Sequence, residues 1–160
     1  MLLQKLRKRV GARLNGNSEA GFTLVELLVV MLILGLLAAI AIPSFFNQRD
    51  KAKDASAKEM AHTAQTAMET FATDNGGVYT GVDAAALKNI EQTISTTVST
   101  KDPYVSAAAA VGTHGYTLTV TSGGTGNTFT IARDGTTGVT TLSCATHGTA
   151  GCPTDGDWGH

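Results

Sequence analysis

Between residues 27 and 48 the chain carries no charged side chain, although 16% of its 160 residues are Asp, Glu, Lys or Arg. A gap of that length excludes an ordinary surface helix, whose solvated face would return a polar residue within each turn. Catalytic machinery is scarce as well. His62, His114, His147 and His160 are scattered, no nucleophile and base can be paired, and no enzyme is expected. Asp155-Gly156-Asp157 lacks the rest of a 12-residue calcium loop. Gly123-Gly124-Thr125-Gly126 has neither a following helix nor the lysine of a phosphate loop, so it reads as a turn. Beyond the long helix only Lys88, Lys101 and Arg133 are basic, too few for a nucleic-acid patch. No cofactor is expected.

What is present is an uneven distribution of charge and one long apolar run. Lys5, Arg7, Lys8, Arg9 and Arg13 precede residue 21 against a single acid, Glu19. From Phe22 onward 7 basic residues face 12 acidic ones, a net of −5. A basic end ahead of a span is the pattern of the positive-inside rule. Residues 22–46, as a helix, would extend about 37 Å at about 1.5 Å per residue, enough for a hydrocarbon core of about 30 Å. Glu26 is the one carboxylate in this stretch. An acid there costs roughly 2.5–3.5 kcal/mol at the bilayer centre and therefore points to function.

Gly21-Phe22-Thr23-Leu24-Val25-Glu26, the apolar run containing Gly35, and Pro43-Ser44-Phe45 together resemble the N-terminus of type IV pilins and their pseudopilin relatives. The resemblance covers roughly residues 20–75. It implies cleavage between Gly21 and Phe22 by a prepilin peptidase, N-methylation of Phe22, and a mature chain of 139 residues. It also implies that the Phe22 α-amino group pairs with Glu26 of an adjacent subunit and fixes axial register. Gly35 and Pro43 would be a helix break, either a tolerated kink or a segment that melts on packing. The implied partners are identical subunits in a helical filament, the peptidase, a membrane platform protein and a cytoplasmic ATPase motor. The implied route is a single-pass precursor in the cytoplasmic membrane, N-terminus inside, then an extracellular pilus. Alternatives are a pseudopilin of a type II secretion or competence system and a minor tip or adhesin subunit. Ala38-Ala39-Ile40-Ala41 offers a superficial site for ordinary signal peptidase, which would release a soluble protein. The 21-residue leader is longer than the commonest pilin pattern.

The expected fold is α+β: a long N-terminal helix packed on a small antiparallel sheet of three to four strands. The organisation expected is a leader over 1–21, a transmembrane helix over 22–46, an amphipathic continuation over 47–75 and a connector with β-rich head over 76–160. In the continuation Ala57, Met60 or Ala61, Ala64, Ala67 or Met68, and Phe71 recur at three- and four-residue steps. The opposite face is assigned Arg49, Asp50, Lys51, Lys53, Asp54, Lys58, Glu59 and Glu69, with Asp54 and Lys58 an attractive pair. Asp74-Asn75-Gly76-Gly77 ends the helix. A short helix is expected near 84–92, and strands over 115–121, 128–133 and 138–144, with one face on the helix and a threonine-rich face in water. Cys144 and Cys152, with seven residues between them, favour a disulfide once exported. A metal site with His147 and His160 is the rival, at a spacing unlike common zinc patterns. Trp158 is expected to pack near the cysteine loop or to present an adhesive ring.

Overall fold

The computed structural model describes residues 21–159; the first 20 residues of the leader and His160 lie outside them. Contacts divide the chain into two compact units, Met1–Ile42 and Pro43–His160.

Helix α1 runs over Leu24–Asp74. Its start is a reciprocal capping box. Thr23 stands before the first turn, the Glu26 N–H donates to Thr23 Oγ1 at 3.2 Å, and the Thr23 N–H donates to Glu26 Oε2 at 2.9 Å. Its end is fixed by Gly76 and Gly77, both at positive φ, which let the Gly77 N–H reach back to the Ala72 carbonyl at 2.7 Å. Gly35 and Pro43 both lie within this helix. A single missing donor at Pro43 weakens one turn, while the turns on either side keep their own hydrogen bonds.

In the second unit the head is built on a four-stranded meander. The strands are β1 (Tyr104–Val111), β2 (Gly115–Thr121), β3 (Thr128–Arg133) and β4 (Thr140–Cys144), paired antiparallel in the order β1-β2-β3-β4. Helix α2 covers Ala84–Ile90; its N-cap Asp83 accepts the Ala86 N–H at 2.7 Å. Strands β2 and β3 stand where alternation predicts them, and β4 begins at Thr140, two residues later than expected. The fourth, β1, contains Ala107 to Ala110 and announces no strand, because a run of alanine favours helix locally. Pairing with β2 imposes the extended form, with a bulge between Val105 and Ala107.

The core lies between α1 and one face of the sheet. Ala57, Ala61, Ala64 and Met68 from the helix are fully buried with Tyr116, Leu118, Val120, Phe129 and Ile131 from the strands. The alanines let the helix sit close to the sheet, so the large side chains come almost wholly from the strands. Thr63, Thr66, Thr70 and Thr73 occupy the other side of α1, each hydroxyl donating to the carbonyl four residues back.

Candidate assembly site: an uncovered apolar helix and a pinned head

Leu24 to Ile42 form the apolar part of α1, and every residue in it is exposed except the intermediate Ala38. By length and composition it is long and apolar enough to cross a membrane. So much uncovered apolar surface is far beyond what an isolated soluble chain leaves in water; lipid or other helices must cover it. Phe22 is 88% exposed. The Glu26 carboxylate takes both of its Thr23 bonds on one oxygen: Oε2 accepts the N–H at 2.9 Å and the hydroxyl at 2.8 Å. A Cβ added at Gly35 would meet nothing within 4 Å, so nothing within the chain requires glycine there.

The head contains a residue that helical patterning assigned wrongly. Asp54 is not on the solvated face: it is fully buried. Its carboxylate accepts hydrogen bonds from the Thr125 hydroxyl, from Asn127 Nδ2 at 2.7 Å and from the Gly151 N–H at 2.9 Å. One side chain thereby ties α1 to the β2–β3 turn and to the C-terminal loop. Burying a carboxylate is tolerable only when its oxygens are hydrogen-bonded in this way. Gly151 must approach closely, since an added Cβ would lie 2.5 Å from Asp54 Cβ. The signal was available in the sequence: position 54 continues the stripe 57, 61, 64, 68 by one step of three, but an acid was read by type rather than by place. Lys58, the partner expected for Asp54, instead lies over the rings of Phe129 and Trp158, at 5.4 and 5.8 Å.

Cys144 and Cys152 are joined in a disulfide, with Cα atoms 5.8 Å apart. Each sulfur has the other as its partner, so neither is a thiolate open to a metal as the rival reading required. Trp158 is buried, donating from Nε1 to the Ser143 carbonyl at 2.9 Å and meeting Phe129 edge to face at 5.9 Å. It packs rather than displaying an adhesive ring. His62 stands edge-on to Trp158, and His114 Nδ1 is 3.1 Å from the Gly77 carbonyl oxygen.

Glu69 is half-exposed rather than purely solvated. It accepts from Tyr79 at 2.7 Å and Tyr116 at 3.3 Å and lies 3.9 Å from the Arg133 guanidinium. Burial, followed by the Glu69 hydrogen bond and charge, pushes the Tyr79 hydroxyl up. Burial also pushes Tyr116 up to about 12; a hydrogen bond with Gln65 opposes this and the Glu69 charge adds to it.

The sequence has relatives consistent with this geometry. Residues 16–42 match the family described as the prokaryotic N-terminal methylation motif. The type IV narrow pilus major component PilA5 of Thermus thermophilus is 30% identical over 117 residues, 73% of this chain and 90% of that protein. The type IV major pilin protein PilA of Myxococcus xanthus is 45% identical over 51 residues, 32% of this chain and 23% of the relative. The type II secretion system core protein G of Pseudomonas aeruginosa is 39% identical over 59 residues, 37% and 42% of the two chains. These last two matches span less than half of the relative's length. No solved structure matches the chain. The methylation motif heads an uncovered apolar helix, and the similarity to the Thermus protein covers 90% of that relative, so the chain belongs to the type IV pilin family.

Proposed function

We propose that the chain is a structural subunit of a type IV pilus, processed between Gly21 and Phe22, N-methylated at Phe22 and polymerised into an extracellular helical filament. The observation that carries this reading is the uncovered apolar surface of residues 24–42 beginning at a single acid, Glu26. In the precursor, lipid covers that surface. In the filament, neighbouring helices cover it. Heterologous contacts between identical helices build an open-ended fibre where the rotation from one copy to the next does not close. Processing leaves Thr23 in place, so the capping box survives it. Because both Thr23 bonds fall on Glu26 Oε2, Oε1 remains to receive the α-amino group of Phe22 from an adjacent copy. Gly35 and Pro43 mark the part of the helix with least to lose if it unwinds on packing.

The subunit is not an enzyme in this reading. Its partners are a prepilin peptidase, a platform protein and an ATPase motor, and its route is the cytoplasmic membrane followed by the cell surface. The organisation is a leader over 1–21, a span over 22–46, its continuation over 47–75 and the connector and head over 76–160. A second reading, a pseudopilin of a secretion system, draws support from the similarity to the type II secretion system core protein G. Long surface fibres against short envelope-spanning ones separate the two. Mass measurement of the N-terminus of protein from its native cell envelope tests the processing. N-methylated Phe22 is the expected end, and an end at Met1 or beyond Ala41 refutes the proposal.

A further inference from the structure

The loop between the two cysteines is held from outside as well as by its own disulfide. Cys144 and Cys152 enclose seven residues, and their Cα atoms stand 5.8 Å apart. Inside the loop the Cys152 N–H donates to the Thr149 carbonyl at 2.9 Å, and the Thr149 hydroxyl donates to the Thr146 carbonyl at 2.6 Å. From outside, the buried Asp54 accepts the Gly151 N–H at 2.9 Å, one residue before Cys152. Cys144 is fixed independently, its N–H donating to the Gly156 carbonyl at 2.8 Å. Directly before Gly151, Ala150 takes a φ of 48°, the only positive value at a non-glycine residue among the described residues. A residue with a Cβ holds that conformation only where its surroundings impose it. The strained alanine therefore lies beside both anchors of the loop, the Asp54 hydrogen bond and the disulfide.

We propose that Asp54 is a positioning residue for the disulfide: it docks the loop through Gly151 while the cysteines are still thiols, so that the bond closes on a prearranged pair and then resists reduction. The inference concerns the head alone and does not depend on the filament reading. Closure takes two exchanges with a small-molecule disulfide such as oxidised glutathione. One cysteine thiolate attacks a glutathione sulfur, and the other glutathione leaves as its thiolate. The second cysteine thiolate then attacks the protein sulfur of the mixed disulfide and expels the remaining glutathione. The two cysteines lose two electrons to the donor disulfide, and their two protons pass through solvent to the departing thiolates. The second exchange depends on how often the free thiolate meets the mixed disulfide, an effective concentration set by the freedom of the loop between them. With Gly151 held on Asp54, that loop samples few arrangements. Without Asp54, Ala150 relaxes from its left-handed conformation and Cys152 drifts from Cys144. Linkage makes the effect reciprocal, so an intact disulfide must tighten the hydrogen bond between Gly151 and Asp54.

The test equilibrates the full-length protein in detergent with glutathione buffers of graded ratio and counts its thiols by alkylation and mass spectrometry. Asp54→Ala is expected to lower the equilibrium constant for closing the bond about tenfold, equivalent to a rise in potential of about 30 mV. Asp54→Asn, which keeps one acceptor oxygen, is expected to move the constant the same way by less. Asp50→Ala, on the same helix, and Leu87→Ala, which weakens the head from the buried side of α2, are expected to leave it unchanged. In the wild type, reduction is expected to speed hydrogen exchange at the Gly151 amide about tenfold while the head stays folded. A wild-type equilibrium in Asp54→Ala, an equal fall in Leu87→Ala, or Gly151 exchange indifferent to reduction would each overturn the proposal. Should Asp54→Ala fail to fold, Asp54→Asn and the Gly151 exchange decide it.

Discussion

Replacing Asp54 should damage the head more than replacing any other charged residue in it. Asp54 is fully buried, and its three donors come from the β2–β3 turn and the disulfide loop. The energetic question is what happens to these donors once the acceptor is gone. Stranding a buried donor costs about 1–3 kcal/mol. Asn127 is 4% exposed and its amide has only a long 3.4 Å contact to the Thr149 carbonyl in reserve. With Gly151 N–H the second stranded donor, Asp54→Ala should lose about 3 kcal/mol. For a chain of this size that is a fall in Tm of roughly 10 °C. Asp54→Asn keeps one acceptor oxygen and should fall between Ala and wild type. Thermal unfolding of the full-length protein in detergent, followed by circular dichroism, measures all three. Asp50→Ala, a few residues earlier and only partly covered, should stay within about 0.5 kcal/mol of wild type. An Asp54→Ala variant as stable as wild type would refute the reasoning, because it would mean that the three donors find equal partners in water.

Other perturbations have equally definite outcomes. Tyr79 and Tyr116 hold their protons more tightly in the folded chain than in the unfolded one. Stability should therefore be full below about pH 10, the unfolded tyrosine value, and decline as pH rises through the folded value of about 12 for Tyr116. Tyr116→Phe should flatten that alkaline decline, and an unchanged pH profile would count against the buried pair as its source. Reduction of the Cys144–Cys152 bond should lower stability by about 2–3 kcal/mol, read as a drop in Tm when reductant is added. Glu26→Ala should leave membrane insertion intact, weaken the helix start by about 1 kcal/mol through loss of the capping box, and sharply reduce fibre yield. Normal fibres from that variant would remove Glu26 from assembly.

The parts legible in the sequence were those governed by local chemistry. The end of α1 followed from Asn75-Gly76-Gly77, β2 and β3 from strict alternation, and the family from the short segment around Gly21 and Glu26. What stayed hidden depended on partners distant in sequence. Ala107 to Ala110 become a strand only because β2 lies beside them, which nothing within that segment encodes. Asp54 finds its donors 71, 73 and 97 residues away, so a charge read as solvated proved to be a buried tie. The reverse holds for Lys58, whose expected acid neighbour on the same helix lost out to two aromatic rings from β3 and the C-terminal loop. Periodicity identified the buried side of α1 well, and it failed only where residue type was allowed to overrule position.

The central claim is that Glu26 receives the new amino terminus of another copy. A structure of the native fibre at side-chain resolution tests it directly. The account predicts the nitrogen of Phe22 from one copy within salt-bridge distance of Glu26 in its neighbour, inside a core of packed apolar helices. Glu26 directed towards solvent, with no amine in reach, would contradict it.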